Sequence, residues 1–229
     1  MWYPKGHNHL AGTITGLSNP QGLGVDPVSG DVLVANTGGS DVLVYPPNST
    51  TLLRTLSDPG QFPVDVAVDR AGNVYVANIF TKAGGAGSVS VYVGGATSPT
   101  YTLTDPSTSE GISVAIDEHK LLLFCFNNTS GSGECDLFAH ARGRGVDTTA
   151  IGFAGGSSSD NAEHIVVVMI ALDRPNHLVY AADAVNNGIG AFPFTDCGSG
   201  TVNAVKVYNQ GLGPSSLLIG AAVTPGVQP

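Results

Sequence analysis

Apolar residues along this chain come in short runs of three to eight, cut by Gly, Pro, Asp and Asn, with no stretch of helical periodicity. Such runs with punctuation at close intervals predict strands and tight turns. The runs also repeat as a phrase. Asn19-Pro-Gln-Gly-Leu-Gly-Val-Asp26 leads to Val32-Leu-Val-Ala-Asn36 and Val44-Tyr-Pro46. Pro63-Val-Asp-Val-Ala-Val-Asp69 leads to Val74-Tyr-Val-Ala-Asn78 and Val91-Tyr-Val93. Looser copies run Ile112 to Asp117 with Leu123 to Asn127 and Leu137-Phe-Ala139, and Val168 to Asp173 with Val179 to Asp183 and Ala191-Phe-Pro193. By subtraction, Asp26, Asp69, Asp117 and Asp173 lie 43, 48 and 56 residues apart. A period of about 40 to 50 residues made of short strands predicts propeller blades.

Each repeat reads as four strands. The first, such as Leu23 to Val25, is apolar at consecutive positions, as an inner strand buried on both faces would be. Asp26 to Asp31 and Asp69 to Asn73 then form tight turns, in which Asp bonds nearby amides and Gly takes positive φ. These aspartates read as turn caps rather than calcium ligands. The second strand is Val32 to Ala35, ending at Asn36. The third is the Val-Tyr element, and the fourth is the Thr-rich run Arg54 to Ser57. Gly38-Gly39 and Ala83 to Gly87 join second to third strands. Ser157 to Glu163 is expected to hold a short helical turn.

The fold expected is therefore all-β, a propeller of about five four-stranded blades in one domain over residues 1–229. The repeats run approximately 17–58, 59–107, 108–159 and 160–210. Trp2-Tyr3-Pro4 matches Val44-Tyr45-Pro46, and Gly12 to Thr15 matches a fourth strand, whereas Gly213 to Ile219 matches the start of a first strand. Residues 1–16 and 211–229 would then share a composite last blade that lacks its second strand. Open strand edges invite association, so a homo-oligomer is expected.

The net charge of -9 argues against nucleic acid and anionic membranes as partners, since both reward basic patches. It suits solubility and permits a cation. No apolar run approaches the roughly 20 residues that span a bilayer. Met1-Trp-Tyr-Pro-Lys does not read as a signal peptide, so the expected place is cytoplasmic, or extracytoplasmic if the chain is part of a longer one. Of three cysteines, Cys125 and Cys135 flank the loop Asn127 to Gly133 symmetrically. A cross-strand bridge is possible there, but two buried thiols are expected. Cys197 has no evident partner.

Pro-x-Gly-x-x-Val-Asp, then Gly-Asn-Val-Tyr-Val-Ala-Asn, then Val-x-Val-Tyr, resembles the NHL-type repeats of bacterial β-propellers. The likeness covers residues 12–107 well, 108–195 loosely and the final segment weakly. These repeats are related in fold to gluconolactonase- and paraoxonase-like hydrolases. That resemblance implies Glu, Asn and Asp ligands for a metal at one rim of the channel. The residues that begin inner strands on that rim are Gln21, Asp65, Glu110, Glu163 with His164, and Ser215. The second strands end at Asn36, Asn78, Asn127 and Asp183. Carboxylates and amides around a narrow channel suit a hard divalent cation such as Ca²⁺, which takes six to eight oxygens.

Asp65, Glu110 and Glu163 are thus candidate metal ligands, and Glu110 and His164 candidates for activating water. Gln21, Asn36, Asn78, Asn127, Asp183 and Ser215 would line the rim. The first inner strand carries Gln21 where these hydrolases carry Glu, and Val64 stands at the matching place in the next repeat. Asn36 and Asn78 also read as repeat features that bond the following turn. His7 with His9, and His140 with Arg144, fall on the opposite rim and read as exposed loop residues. No Gly-x-Ser-x-Gly elbow and no P-loop occurs. Two functions follow: a metal-assisted hydrolase of lactones, esters or phosphotriester-like substrates, or a non-catalytic propeller that binds a ligand or protein.

Overall fold

The computed structural model describes residues 11–116, 122–129, 133–138, 150–154, 167–173, 176–183, 188–193 and 200–208. Blade 1 is β1 (Pro20–Val25), β2 (Val32–Asn36), β3 (Asp41–Tyr45) and β4 (Arg54–Ser57), paired in that order. Blade 2 is β5 (Gln61–Val68), β6 (Val74–Thr81), β7 (Ser88–Tyr92) and β8 (Tyr101–Leu103). Blade 3 is β9 (Thr108–Ile116), β10 (Leu122–Asn128), β11 (Gly133–Phe138) and β12 (Ala150–Ala154). Blade 4 contains β13 (Val167–Asp173), β14 (Leu178–Asp183) and β15 (Gly188–Pro193), with β17 (Lys206–Tyr208) as its outer strand. Within each blade, successive strands pair antiparallel.

One strand leaves this order. β16 (Gly200–Asn203) follows β15 in the chain but pairs parallel with β12, giving blade 3 a fifth strand. The chain then returns, and the Val205 amide donates to the Ala191 carbonyl at 2.8 Å before β17 begins.

The inner strands β1, β5, β9 and β13 lie side by side in succession, and apolar side chains fill the gaps between blades. Leu33, Val42, Val44 and Leu56 of blade 1 meet Val66, Val74, Val76 and Tyr92 of blade 2. Tyr75, Ala77, Val89 and Val91 meet Val114, Phe124, Phe126 and Phe138 of blade 3. Leu123, Cys125 and Cys135 meet Ile170, Val179, Ala181 and Phe192 of blade 4. Alternate residues of one strand therefore serve two interfaces, which is why strands buried on both faces read as unbroken apolar runs. This is a β-propeller of several blades.

The turn aspartates act as caps. Asp26 Oδ1 accepts the amides of Val28 and Ser29 at 2.8 and 3.1 Å. Asp69 Oδ1 accepts those of Ala71 and Asn73 at 2.8 and 2.9 Å. In blade 4, Asp173 Oδ2 accepts the Asn176 side-chain amide at 2.9 Å. Left-handed backbone follows in each turn, at Gly30, Gly72 and His177.

Three expectations change. Cys125 and Cys135 stand directly opposite each other on β10 and β11 and are joined as a disulfide, not left as thiols. Facing positions on an antiparallel pair bring the two side chains onto one side of the sheet, within bonding reach. Of Gly12 to Thr15, expected as a fourth strand, only Gly12 pairs, in a single β-bridge, and Ile14 and Leu17 pack over Val34, Leu43 and Tyr45 on the face of blade 1 turned away from blade 2. Among the described residues the only helical element is one 3-10 turn, Thr37–Gly39. The expected turn at 157–163 and the composite blade's residues 1–10 and 211–229 lie outside the described residues.

Candidate functional site

Asp65 sits on β5, one of the inner strands, and its carboxylate is buried. Its Oδ1 accepts the Val66 amide at 2.9 Å. Its Oδ2 accepts the Ser113 hydroxyl and the Val114 amide of β9. The Ser113 oxygen in turn accepts the Ile170 amide of β13 at 3.3 Å. On the other side, a Cβ at Gly22 of β1 would lie 2.6 Å from Asp65 Oδ1. The missing side chain is what lets β1 approach. Gly22, Asp65 and Ser113 thus carry one contact line through four inner strands. Burial pushes the Asp65 carboxyl up to about 6, and the bonds from Ser113, Val114 and Val66 partly oppose that rise.

A second buried carboxylate joins the β4–β5 loop to blade 2. Asp58 Oδ1 accepts the Ser90 hydroxyl at 2.8 Å, and Ser90 Oγ accepts the Asn78 side-chain amide at 2.9 Å. Burial pushes the Asp58 carboxyl up to about 6 as well, against the opposing bonds from Ser90 and Asn78. Asn36 works locally: its Nδ2 donates to Asp41 Oδ1 at 2.7 Å, and its Oδ1 accepts the Ser18 amide at 2.6 Å. Asp183 ends β14 and is buried, opposite Val167 and Gly188.

Strand pairing refines the sequence alignment. Asp65 pairs with Ala77 and Ser113 with Cys125, so the counterpart of Asn78 in blade 3 is Phe126. Asn127 lies one residue further out. It stands directly across from Glu110, which is exposed. The same pairing makes Phe62 the blade 2 counterpart of Glu110. Phe62 packs edge-on against exposed Phe80, with ring centres 5.1 Å apart. The Lys82 ammonium lies 5.7 Å from the Phe62 centroid. The Gly87 amide donates to the Ser109 carbonyl at 3.1 Å and ties this rim to that of blade 3.

The structure therefore brings Glu110 and Asn127 together, and holds Asp65 and Asn78 in separate networks. Gln21 is exposed on β1, with its amide donating to Asn19 Oδ1 at 3.3 Å. Glu163, His164 and Ser215 lie outside the described residues. Among the described residues, no three His, Cys, Asp or Glu side chains gather as a metal-binding group. Reading the sequence missed Asp58, Ser90 and Ser113. Thr55-Leu-Ser-Asp-Pro59, repeated as Thr102-Leu-Thr-Asp-Pro106, was a usable signal for Asp58. Ser113 had none, because its repeat counterparts are a glycine, an aspartate and a methionine.

No protein-family model and no curated protein matches the chain. Solved structures do. The crystal structure of a nidogen/laminin complex aligns with a TM-score of 0.63 at 14% identity, covering 85% of this chain and 65% of that one. Kuenenia stuttgartiensis hydrazine synthase aligns with a TM-score of 0.60 at 16% identity, covering 90% of this chain and 52% of that one. The chain thus spans less than two thirds of either. At these identities the likeness concerns the fold, and both alignments agree with a β-propeller.

Proposed function

We propose that this chain is a binding propeller whose contact surface is the rim of blades 2 and 3, built on repeats of NHL type. The observation that carries this reading is the Phe62–Phe80 pair with Lys82 beside it, standing at the rim position that Glu110 holds in blade 3. Phe80 is exposed and Phe62 half-buried, and aromatic rings at the surface with a cation nearby are what protein-contacting surfaces concentrate. Asp65 supports it too, since its carboxylate is taken up by three donors and joins blades. The Cys125–Cys135 bridge favours an oxidising compartment.

One observation favours the hydrolytic reading. Asn127 Oδ1 is buried without a hydrogen-bond partner among the described residues, directly across from Glu110. With Glu163 and His164, that pair would hold a divalent metal, which would polarise a lactone, ester or phosphotriester oxygen. The two aligned structures divide the same way, one being a complex of two proteins and the other an enzyme. The test is metal analysis of the purified protein, with ester, lactone and phosphotriester turnover measured before and after chelation. The binding reading expects no chelation-sensitive turnover. Turnover that is lost on chelation and falls at least tenfold in Glu110→Gln, with melting unchanged, overturns it.

A further inference from the structure

Phe62 stands between two carbonyls that blade 1 holds. The hydroxyl of Thr37 donates to the Pro63 carbonyl at 2.6 Å, and the hydroxyl of Ser40 donates to the Gln61 carbonyl at 2.8 Å. Both donors are buried, and both come from one turn, Thr37–Gly39 with Ser40 at its end. Strand β5 shifts register on either side of Pro63, and Pro63 has no amide to give β6. A strand interrupted in this way needs other partners for its backbone, and here they reach across from the neighbouring blade.

Ser40 sits at φ 58°, in the left-handed region that favours glycine. Glycine would take that conformation at less cost but would supply no hydroxyl. Side chains held in such conformations persist where their surroundings fix them, and they gather at binding and catalytic sites. The grip of Ser40 extends past one bond. Its carbonyl accepts the Asp58 amide at 2.9 Å, and the Asp58 carbonyl accepts the Gln61 amide at 3.2 Å. The Gly60 carbonyl of the same turn accepts the Lys82 amide at 2.7 Å. The turn over residues 58–61 thus leads into Phe62 and also holds the backbone of Lys82, whose ammonium lies beside the Phe62 ring. Blade 3 shows a simpler version, in which the carbonyl before Glu110, that of Ser109, accepts the Gly87 amide from the β6–β7 loop of blade 2.

We propose that Thr37 and Ser40 are positioning residues for the rim contact surface. They fix the backbone on both sides of Phe62 and so present its ring against Phe80 and Lys82 before a partner arrives. This role rests on the binding reading of the rim, and it adds blade 1 to a site whose contacting side chains lie on blades 2 and 3. A surface already held in its bound form loses less freedom on association. A ring on a strand with an interrupted ladder needs support from outside the strand to be held that way.

Nuclear magnetic resonance of the free chain with labelled phenylalanine rings tests this, with the Phe62 signals assigned from Phe62→Leu. In the unaltered chain a nuclear Overhauser contact is expected between the Phe62 and Phe80 rings. Thr37→Val combined with Ser40→Ala should lose that contact. Thr37→Ser, which keeps a hydroxyl, should retain it. Tyr92→Phe removes a different bond across the same two blades, from the Tyr92 hydroxyl to the Ser57 carbonyl at 3.0 Å. It should lower the melting temperature and leave the ring contact in place. If the double variant does not fold, Ser40→Gly, which suits the left-handed backbone and removes the hydroxyl, is judged in its place. A ring contact that survives in the folded variant overturns the proposal. So does its equal loss in Tyr92→Phe, which would show a general loosening between the blades. The measurement needs neither partner nor metal, so this role and the binding reading, which metal analysis and turnover test, can fail separately.

Discussion

The hydroxyl of Ser113 donates to Oδ2 of Asp65 across the boundary between blades 2 and 3. Neither residue is near solvent. The pair converts a side chain that reads as a channel ligand into a joint between inner strands, and Ser113 passes the connection on to the Ile170 amide.

Burial of Asp65 and of Asp58 makes stability depend on pH in an uncommon direction. Asp65 and Asp58 hold their protons up to about 6 in the folded chain, against 3.8 ordinarily. The folded state therefore binds more protons between those values. Its advantage is full below 3.8 and is lost as pH rises through 6. Each residue should make the protein about 1 kcal/mol more stable near pH 5 than near pH 7.5. Asp65→Asn should remove its half of that slope and keep the fold. Denaturant titrations at the two pH values check this, and an unchanged slope in Asp65→Asn would show that the Asp65 carboxyl is not the group that titrates.

Ser113→Ala removes a donor to Asp65 and an acceptor for Ile170 in a buried place. The expected cost is about 1–3 kcal/mol. Losing a bond that favours the ionised form should also move the Asp65 transition to higher pH. Both are read from unfolding midpoints followed against pH.

The bridged pair predicts a thiol count. Three cysteines less the two in the bridge leave one, so denatured, unreduced protein should titrate a single thiol, that of Cys197. Replacing Cys125 and Cys135 by Ala should destabilise by about 2–3 kcal/mol, because the bridge closes a short loop in the unfolded chain. Since both sulfurs are buried, a mild reductant should act only as fast as blade 3 opens, which mass-shift labelling over time would show.

His177 occupies a left-handed position at φ 52°, where two other blades carry Gly30 and Gly72. A side chain there costs about 1 kcal/mol, part of which Gly gives back as lost chain freedom. His177→Gly should raise stability by roughly 0.5 kcal/mol. A fall in the melting temperature would show that the imidazole makes a contact worth more than the strain.

The blades were legible because each repeat states its own turns and strands. Asp26, Asp69 and Gly72 name the turn chemistry in the letters themselves, and the Arg54–Ser57 strand begins and ends where its composition says. The site was harder. Asp65 and Glu110 look alike as acidic residues entering inner strands, but one is enclosed and the other is exposed. The difference is one of position: strand pairing sets Ser113, not Glu110, level with Asp65, and Glu110 lies three residues nearer the strand's start, beyond the bulge that β5 and β9 share. The same pairing puts Phe126, not Asn127, level with Asn78 in the series. The Cys125–Cys135 bond depended on register across β10 and β11, which symmetric flanking suggested and redox context obscured.

Strand β16 changes what counts as a module here. Repeat arrays can ordinarily be shortened between units, since each unit contacts only its neighbours. A chain cut after blade 3 would lose the strand from 200–203 that pairs with 150–154, and blade 4 cannot be moved elsewhere without taking that strand along. Blades 3 and 4 therefore share a strand, so a cut between them would break blade 3, and the two are expected to unfold together.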